Sequence, residues 1–217
     1  MGLSDAEGRR SVRWWALAVV SLVQLMIVLD ATIVNIALPA AQRELGMSDA
    51  SRQWVITAYA LVFGGLLLLG GRVSSRIGHR RAITFSLCGF AAASAIGGLA
   101  ASPLMLFVAR GIQGVFAAVL APAVLALLSV MFTDSRHRGT AFGVFAAVSA
   151  AGSAVGLLAG GVFTEYLDWR WCLYVNIPLS LVALFGTPLL SPAQDGERHR
   201  IDLLGALLSA VALAAVV

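Results

Sequence analysis

An all-α fold, a bundle of helices crossing a lipid bilayer several times, is predicted by three observations. Hydrophobic residues make up 59% of the 217-residue chain against 12% charged, with a mean hydropathy of +0.90, which no water-solvated domain sustains. The apolar residues fall into runs of membrane-crossing length separated by short polar gaps. No run alternates apolar with polar residues, which argues against strands, and an open sheet edge in hydrocarbon would leave its backbone groups unpaired.

The runs are residues 14–38, 54–71, 82–101, 104–132, 141–163 and 171–190. A helix rising about 1.5 Å per residue crosses the roughly 30 Å hydrocarbon layer in about 20 residues, so each is expected to cross once. Residues 1–13 form a polar amino terminus, 14–190 the six-span bundle, 191–202 a loop, and 203–217 a seventh run. That seventh run is apolar to its last residue, so a span cut short is expected there. The first run exceeds a signal-peptide core, lacks a small-x-small cleavage site and precedes further spans, so it is read as an anchor.

The chain has fifteen Arg and no Lys against eleven acids. This balance is not a nucleic-acid footprint, because the Arg residues lie in the gaps between runs. With the amino terminus inside, Arg9, Arg10, Arg13, Arg72, Arg76, Arg80, Arg81, Arg136, Arg138, Arg198 and Arg200 fall on the cytoplasmic side. Only Arg43, Arg52 and Arg170 fall outside. Eleven against three is a strong orientation signal, and the expectation is a multi-pass protein of the cytoplasmic membrane with its amino terminus inside.

Two charges break the pattern. Asp30 lies within the first run, eight residues before Leu38 and so about 12 Å deep; Arg110 lies about six residues into the fourth run, about 9 Å deep. An intramembrane charge is expensive and is kept for ion or substrate handling with a partner facing it. Opposite charges at one depth lower each other's desolvation cost, and protonating the acid would release the Arg: a proton-coupled latch. The alternatives are a wetted Asp30 near the helix end and an Arg110 reaching to the headgroups. Gln113 shares the face of Arg110, and Gly114 admits a neighbouring helix. Gln24 and Asn35 share a face about 120° from Asp30, either lining a path or, as favoured here, bonding to neighbouring helices.

The segment Leu29-Asp30-Ala31-Thr32-Ile33-Val34-Asn35-Ile36-Ala37-Leu38-Pro39, the loop from Gly71 through Ser75, Arg76 and Gly78 to Arg80 and Arg81, and Arg110-Gly111-Ile112-Gln113-Gly114 resemble the major facilitator superfamily. The likeness is to its fourteen-span branch of drug:proton antiporters and covers nearly the whole chain as the amino-terminal half. The resemblance implies a six-helix amino-terminal bundle, a transport role for Asp30, proton transfer through Arg110, and a gating loop at 71–81 in which Gly71 and Gly78 allow tight turns around the basic cluster. Ser75 departs from the family's Asp, removing a charge that helps lock two halves together, though Ser can still cap a helix. Phe116 stands where a small residue is commoner. Gly143, Gly152, Gly156, Gly160 and Gly161 match the antiporter motif of the fifth span, and three of them repeat every four residues along one face that lets helices pack backbone to backbone; Leu157 replaces a kink-forming Pro, and the other reading is generic helix packing. Asp168-Trp169-Arg170-Trp171 and Val175-Asn176-Ile177-Pro178 resemble the opening of the sixth span and are read as fixing register more than mechanism.

The resemblance implies proton-driven export of small amphipathic molecules, with the bilayer, the substrate and protons as partners. A missing carboxyl-terminal half, or self-association, would complete alternating access. A non-transporting scaffold or an inactive half is the competing reading. An intramembrane hydrolase needs a base inside the bilayer, and His79, His137 and His199 all fall in polar gaps, read as solvated. No metal-ligand spacing and no phosphate-binding loop with a Lys is found, and Cys88 and Cys172 imply no disulfide framework. No cofactor is expected; the proton gradient would be the driving force.

Overall fold

The computed structural model describes residues 3–190, with side chains from residue 13 onward. The expectations for 191–202 and 203–217, Arg198, His199 and Arg200 included, lie outside the described residues. The chain folds into α1 (Leu3–Leu45), α2 (Asp49–Ile77), α3 (His79–Gly98), α4 (Pro103–Met131), α5 (Ser135–Tyr166), α6 (Trp171–Tyr174) and α7 (Asn176–Gly186), closed by a 3₁₀ turn, Thr187–Leu189. No strand occurs among the described residues.

Six segments are long and apolar enough to cross a membrane: Arg13–Leu45, Asp49–Ile77, His79–Gly98, Pro103–Met131, Ser135–Tyr166 and Trp171–Leu189. This is a multi-pass membrane protein. Its outer surface carries large apolar side chains such as Phe85, Leu104, Leu158 and Phe185, which suit contact with lipid.

The helices outrun the apolar runs, because backbone hydrogen bonding continues into water where no breaker stops it. α1 passes straight through Pro39, and α2 reaches Ile77, six residues beyond the apolar run. Sharp ends coincide with local chemistry. Ser48, Ser102 and Asp134 cap α2, α4 and α5 by accepting from the backbone N–H three residues on, satisfying donors that a helix start leaves free. Gly46 and Gly78 carry positive φ, 63° and 89°, a conformation costly for other residues, and each turns the chain between helices.

α2 and α3 both pack on α4, α5 packs on α1, and α7 wedges between α1 and α3. Small residues set the spacings, as expected where van der Waals contact rather than water exclusion drives helix association. At Gly70 of α2 a Cβ would collide with the backbone carbonyl of Ala118 in α4. Phe116 occupies the space left by Gly89 on α3, so the bulky residue is accommodated by its neighbour's lack of a side chain. One buried apolar cluster, including Met26, Phe90, Leu120 and Leu127, fills one end of the bundle. A second, including Ile33, Leu38, Leu106 and Leu173, fills the other. The polar site lies at the level between them.

The sixth crossing is one span, Trp171–Leu189; α6 and α7 are separated only at Val175, whose backbone stays helical (φ −58°, ψ −26°), where Pro178 lacks the N–H that would bond the preceding turn.

Candidate functional site

Asp30 is 0% exposed and Arg110 2%. The two meet directly, Arg110 Nη1 donating to Asp30 Oδ2 at 2.7 Å. Arg110 therefore does not reach to the headgroups, and Asp30 is not wetted from a helix end. The same Nη1 donates to Gln113 Oε1 at 2.8 Å. Gln113 Nε2 in turn donates to Asp30 Oδ1 at 3.2 Å and to Ser94 Oγ at 2.8 Å. Asn176 Nδ2 donates to the same Asp30 Oδ1 at 2.7 Å. The ring of Tyr59 lies 4.3 Å from the Arg110 guanidinium carbon, a cation–π contact.

One acid is thus held by three side-chain donors while α1, α2, α3, α4 and α7 each contribute a residue to its surroundings. Taking both charges out of water is opposed by several kcal/mol per ion, offset only where geometry and further hydrogen bonds satisfy the remaining atoms. Asp30 meets that condition: both oxygens are bonded, and the countercharge is in contact. Arg110 meets it only in part, since its Nε is buried without a partner; Tyr59 Oη and Asn176 Oδ1 are in the same state. Neutralising Asp30 with a proton would weaken its hold on Arg110, so the arrangement can act as a latch sensitive to one proton.

Arg110 also borders a cavity of about 550 Å³ between α1, α2, α4 and α5. The rings of Tyr59 and Phe63 lie nearly parallel on one wall, 5.8 Å between ring centroids. Gln24, Thr32 and Asn35 of α1 and Ser153 of α5 supply its polar atoms. Gln24 and Asn35 therefore line the cavity, contrary to the preference for neighbouring-helix bonds; the Asn35 amide donates only to Ala31 O of its own helix. No acidic residue is part of the wall among the described residues. The wall combines aromatic faces with a few amides and hydroxyls, the mixed lining common to small-molecule pockets of this volume.

The loop residues are arranged differently from expectation. Gly71 is not at a turn: it lies within α2 against Pro122, because the helix continues past the apolar run, and Gly78 alone breaks the chain. Ser75 caps nothing; its hydroxyl donates back to Gly71 O at 2.9 Å. The neighbour Ser74 is buried and shares a 2.7 Å hydrogen bond with His79 Nδ1, so His79 is half-buried rather than solvated. Arg76 is exposed and Arg80 and Arg81 stand in the first turn of α3.

The fifth-span glycines divide. Gly152, Gly156 and Gly160 lie against Leu25, Thr32 and Ile33 of α1, whereas Gly143 and Gly161 face no neighbour within 4 Å of a Cβ position among the described residues. Only the strict four-residue repeat keeps one face toward α1, and the other two rotate off it. α5 runs unbroken through Leu157, which is exposed.

A cluster at the Glu44 end of α1 was not anticipated. Glu44 accepts from Trp169 Nε1 and from Arg170 Nη1, each at 2.7 Å. Arg170 also donates to Ala100 O at 3.1 Å and sits over the Trp169 ring. Burial works against the Arg170 charge, but the hydrogen bond and charge of Glu44, with Asp168, outweigh it and hold the guanidinium above its ordinary range. At the opposite end, the hydrogen bond from the His137 side chain holds the Asp134 carboxyl below its ordinary range.

Fold and site together define a polytopic bundle with a buried ion pair beside a drug-sized cavity. A description of the Major Facilitator Superfamily matches residues 20–216, and the chain belongs to that superfamily. It is 60% identical over 212 residues to the puromycin resistance protein pur8 of Streptomyces alboniger, covering 97% of this chain and 42% of the relative. It is 42% identical over 201 residues to the cephamycin export protein CmcT of Amycolatopsis lactamdurans, covering 91% and 41%. To the multidrug efflux pump LfrA of Mycolicibacterium smegmatis it is 35% identical over 197 residues, covering 90% and 39%. The chain thus spans about two fifths of the length of these relatives. Among solved structures, a peptide transporter POT in complex with sulfate shares the fold, with a TM-score of 0.75 at 15% identity over 93% of this chain and 43% of that one.

Proposed function

We propose that these residues form the amino-terminal bundle of a proton-coupled exporter of small amphipathic molecules in the cytoplasmic membrane, with the amino terminus inside. A second bundle, joined to this one or supplied by another chain, would complete the alternating-access pair. The observation that carries the reading is the fully buried Asp30, ion-paired to Arg110 at the wall of a cavity. A proton arriving at Asp30 loosens Arg110, and Arg110 borders the space where a substrate would sit, so proton and substrate occupancy are coupled through one side chain.

The relatives are resistance and export proteins, which makes puromycin the first compound to try. The Arg distribution supports the orientation. The latch needs no bound cofactor, and proton transfer to a carboxylate is reversible binding, which fits a transporter rather than an enzyme.

The test is the chain joined to the carboxyl-terminal portion of the puromycin resistance relative and expressed in a puromycin-sensitive bacterium. The expected result is lowered accumulation of the compound, with Asp30→Asn indistinguishable from cells lacking the protein. Undiminished efflux by Asp30→Asn, at equal membrane abundance, would overturn the proton-coupled reading; no efflux by any variant would favour a scaffold.

A further inference from the structure

Asn176 was read from sequence as a register marker for the sixth crossing. The geometry gives it a different place. It is the first residue of α7, 0% exposed, and its Nδ2 makes the shortest amide contact to Asp30, 2.7 Å against 3.2 Å from Gln113. Its Oδ1 is buried without a partner.

We infer that Asn176 is a positioning residue for the exporter's proton site, setting how tightly Asp30 binds its proton through a carboxamide that can serve both states of the acid. This rests on the proton-coupled reading above. With Asp30 ionised, Nδ2 donates to Oδ1, a charge-assisted bond that favours the carboxylate. When a proton settles on that oxygen, it becomes a donor and repels Nδ2. A half-turn of the amide then presents the unpartnered Oδ1 of Asn176 as the acceptor. Either state leaves one amide group of Asn176 unmated, so the carboxamide stays bonded to the acid through both.

The other groups around Asp30 do not duplicate this. Arg110 of α4 and Tyr59 of α2 are the charged and titratable groups that face it. α3 contributes Ser94, α5 carries its titratable residues at its two ends, and the α6 Cys172 lies in the buried cluster with Leu29 and Ile33. α7 has no titratable residue. Gln113 cannot take the role, because its Oε1 already accepts from Arg110 and its Nε2 is shared with Ser94. Among the side chains bonded to Asp30, Asn176 is the one with an idle acceptor. Its bond to Asp30 also ties the charge state of α1 to the sixth crossing.

The test is infrared titration of the full chain in lipid nanodiscs, reading the protonated-carboxyl band that Asp30→Asn removes. Losing one charge-assisted donor of three raises proton affinity about tenfold, so in Asn176→Leu the midpoint is expected about one unit higher. Asn176→Gln, which keeps the carboxamide, should recover part of that shift. Ser180→Ala, which removes from α7 a hydroxyl bonded to Met26 of α1, should leave the midpoint in place, which separates a change at Asp30 from loosened packing of α7. Should Asn176→Leu fail to insert, Asn176→Ala reports the same loss. A midpoint in Asn176→Leu or Asn176→Ala equal to the parent's overturns this role and leaves proton coupling standing. Absence of any band removed by Asp30→Asn in the parent overturns both.

Discussion

Replacing Arg110 by Met leaves the Asp30 carboxylate buried with two amide donors, from Gln113 and Asn176, and no countercharge. Removing one partner of a buried ion pair destabilises by about 3–5 kcal/mol. Two surviving hydrogen bonds place this variant near the lower end, about 3 kcal/mol at neutral pH. The reciprocal Asp30→Asn leaves a guanidinium that cannot shed its proton, met only by neutral amide oxygens and the Tyr59 ring with no countercharge, and belongs near the upper end. The two should differ in acid: Asp30 can neutralise itself by taking up a proton, so the Arg110→Met loss shrinks as pH falls, while the Asp30→Asn loss does not. The double variant removes both charges, and its loss should be smaller than the sum of the singles by about 2–3 kcal/mol. Reversible unfolding of the chain in mixed detergent micelles measures all four corners. Additivity within about 0.5 kcal/mol, or an Arg110→Met loss that does not change with pH, would refute a coupled buried pair.

Three further outcomes are expected. Gly156→Val drives a side chain into Thr32 and the Leu29 carbonyl of α1 and should lower stability by about 1–3 kcal/mol, whereas Gly161→Ala, with open space around it, should be neutral or slightly stabilising by thermal melting; equal losses would contradict the packing face. Asp134 has a carboxyl held below its ordinary range by His137, so its capping contribution is present above the unfolded acid's range and is lost as pH falls through the depressed folded value. The chain should therefore lose less stability on acidification as Asp134→Asn than as the parent, and an identical pH profile would sink this. Cysteines placed at Arg76 and Arg136 should react with an impermeant reagent from the same side of the membrane, and one at Arg43 from the other; labelling of Arg76 and Arg136 from opposite sides would overturn the topology.

Much of this was legible in the chain because lipid imposes a harsh rule: a run of about 20 apolar residues has few uses other than crossing. The Asp30–Arg110 meeting was legible for the same reason, since two charges at matching depth have little else to bond. Asn176, Ser94 and Tyr59 were not. Each is a polar residue of a kind common inside spans, and nothing in its spacing tells which of several neighbours it faces; Asn176 and Asp30 are 146 residues apart. Glu44 was missed because a carboxylate beyond an apolar run reads as solvated until the 168–170 turn folds over it. The glycines were legible in part: Gly152, Gly156 and Gly160 repeat every four residues and so share the face that meets α1, whereas Gly143 and Gly161, which match only the motif, fall off it. Gly71 failed similarly, because the apolar run ends where the lipid does while the helix continues until Gly78.

The most direct measurement is proton movement on substrate addition, in inverted membrane vesicles carrying the chain joined to a second bundle and acidified inside by respiration. Puromycin added outside should be carried in as protons leave, raising the internal pH in the parent and in Arg170→Ala, with no change in Asp30→Asn at matched protein density. A pH rise of equal size in Asp30→Asn would contradict the claim that this carboxylate carries the proton.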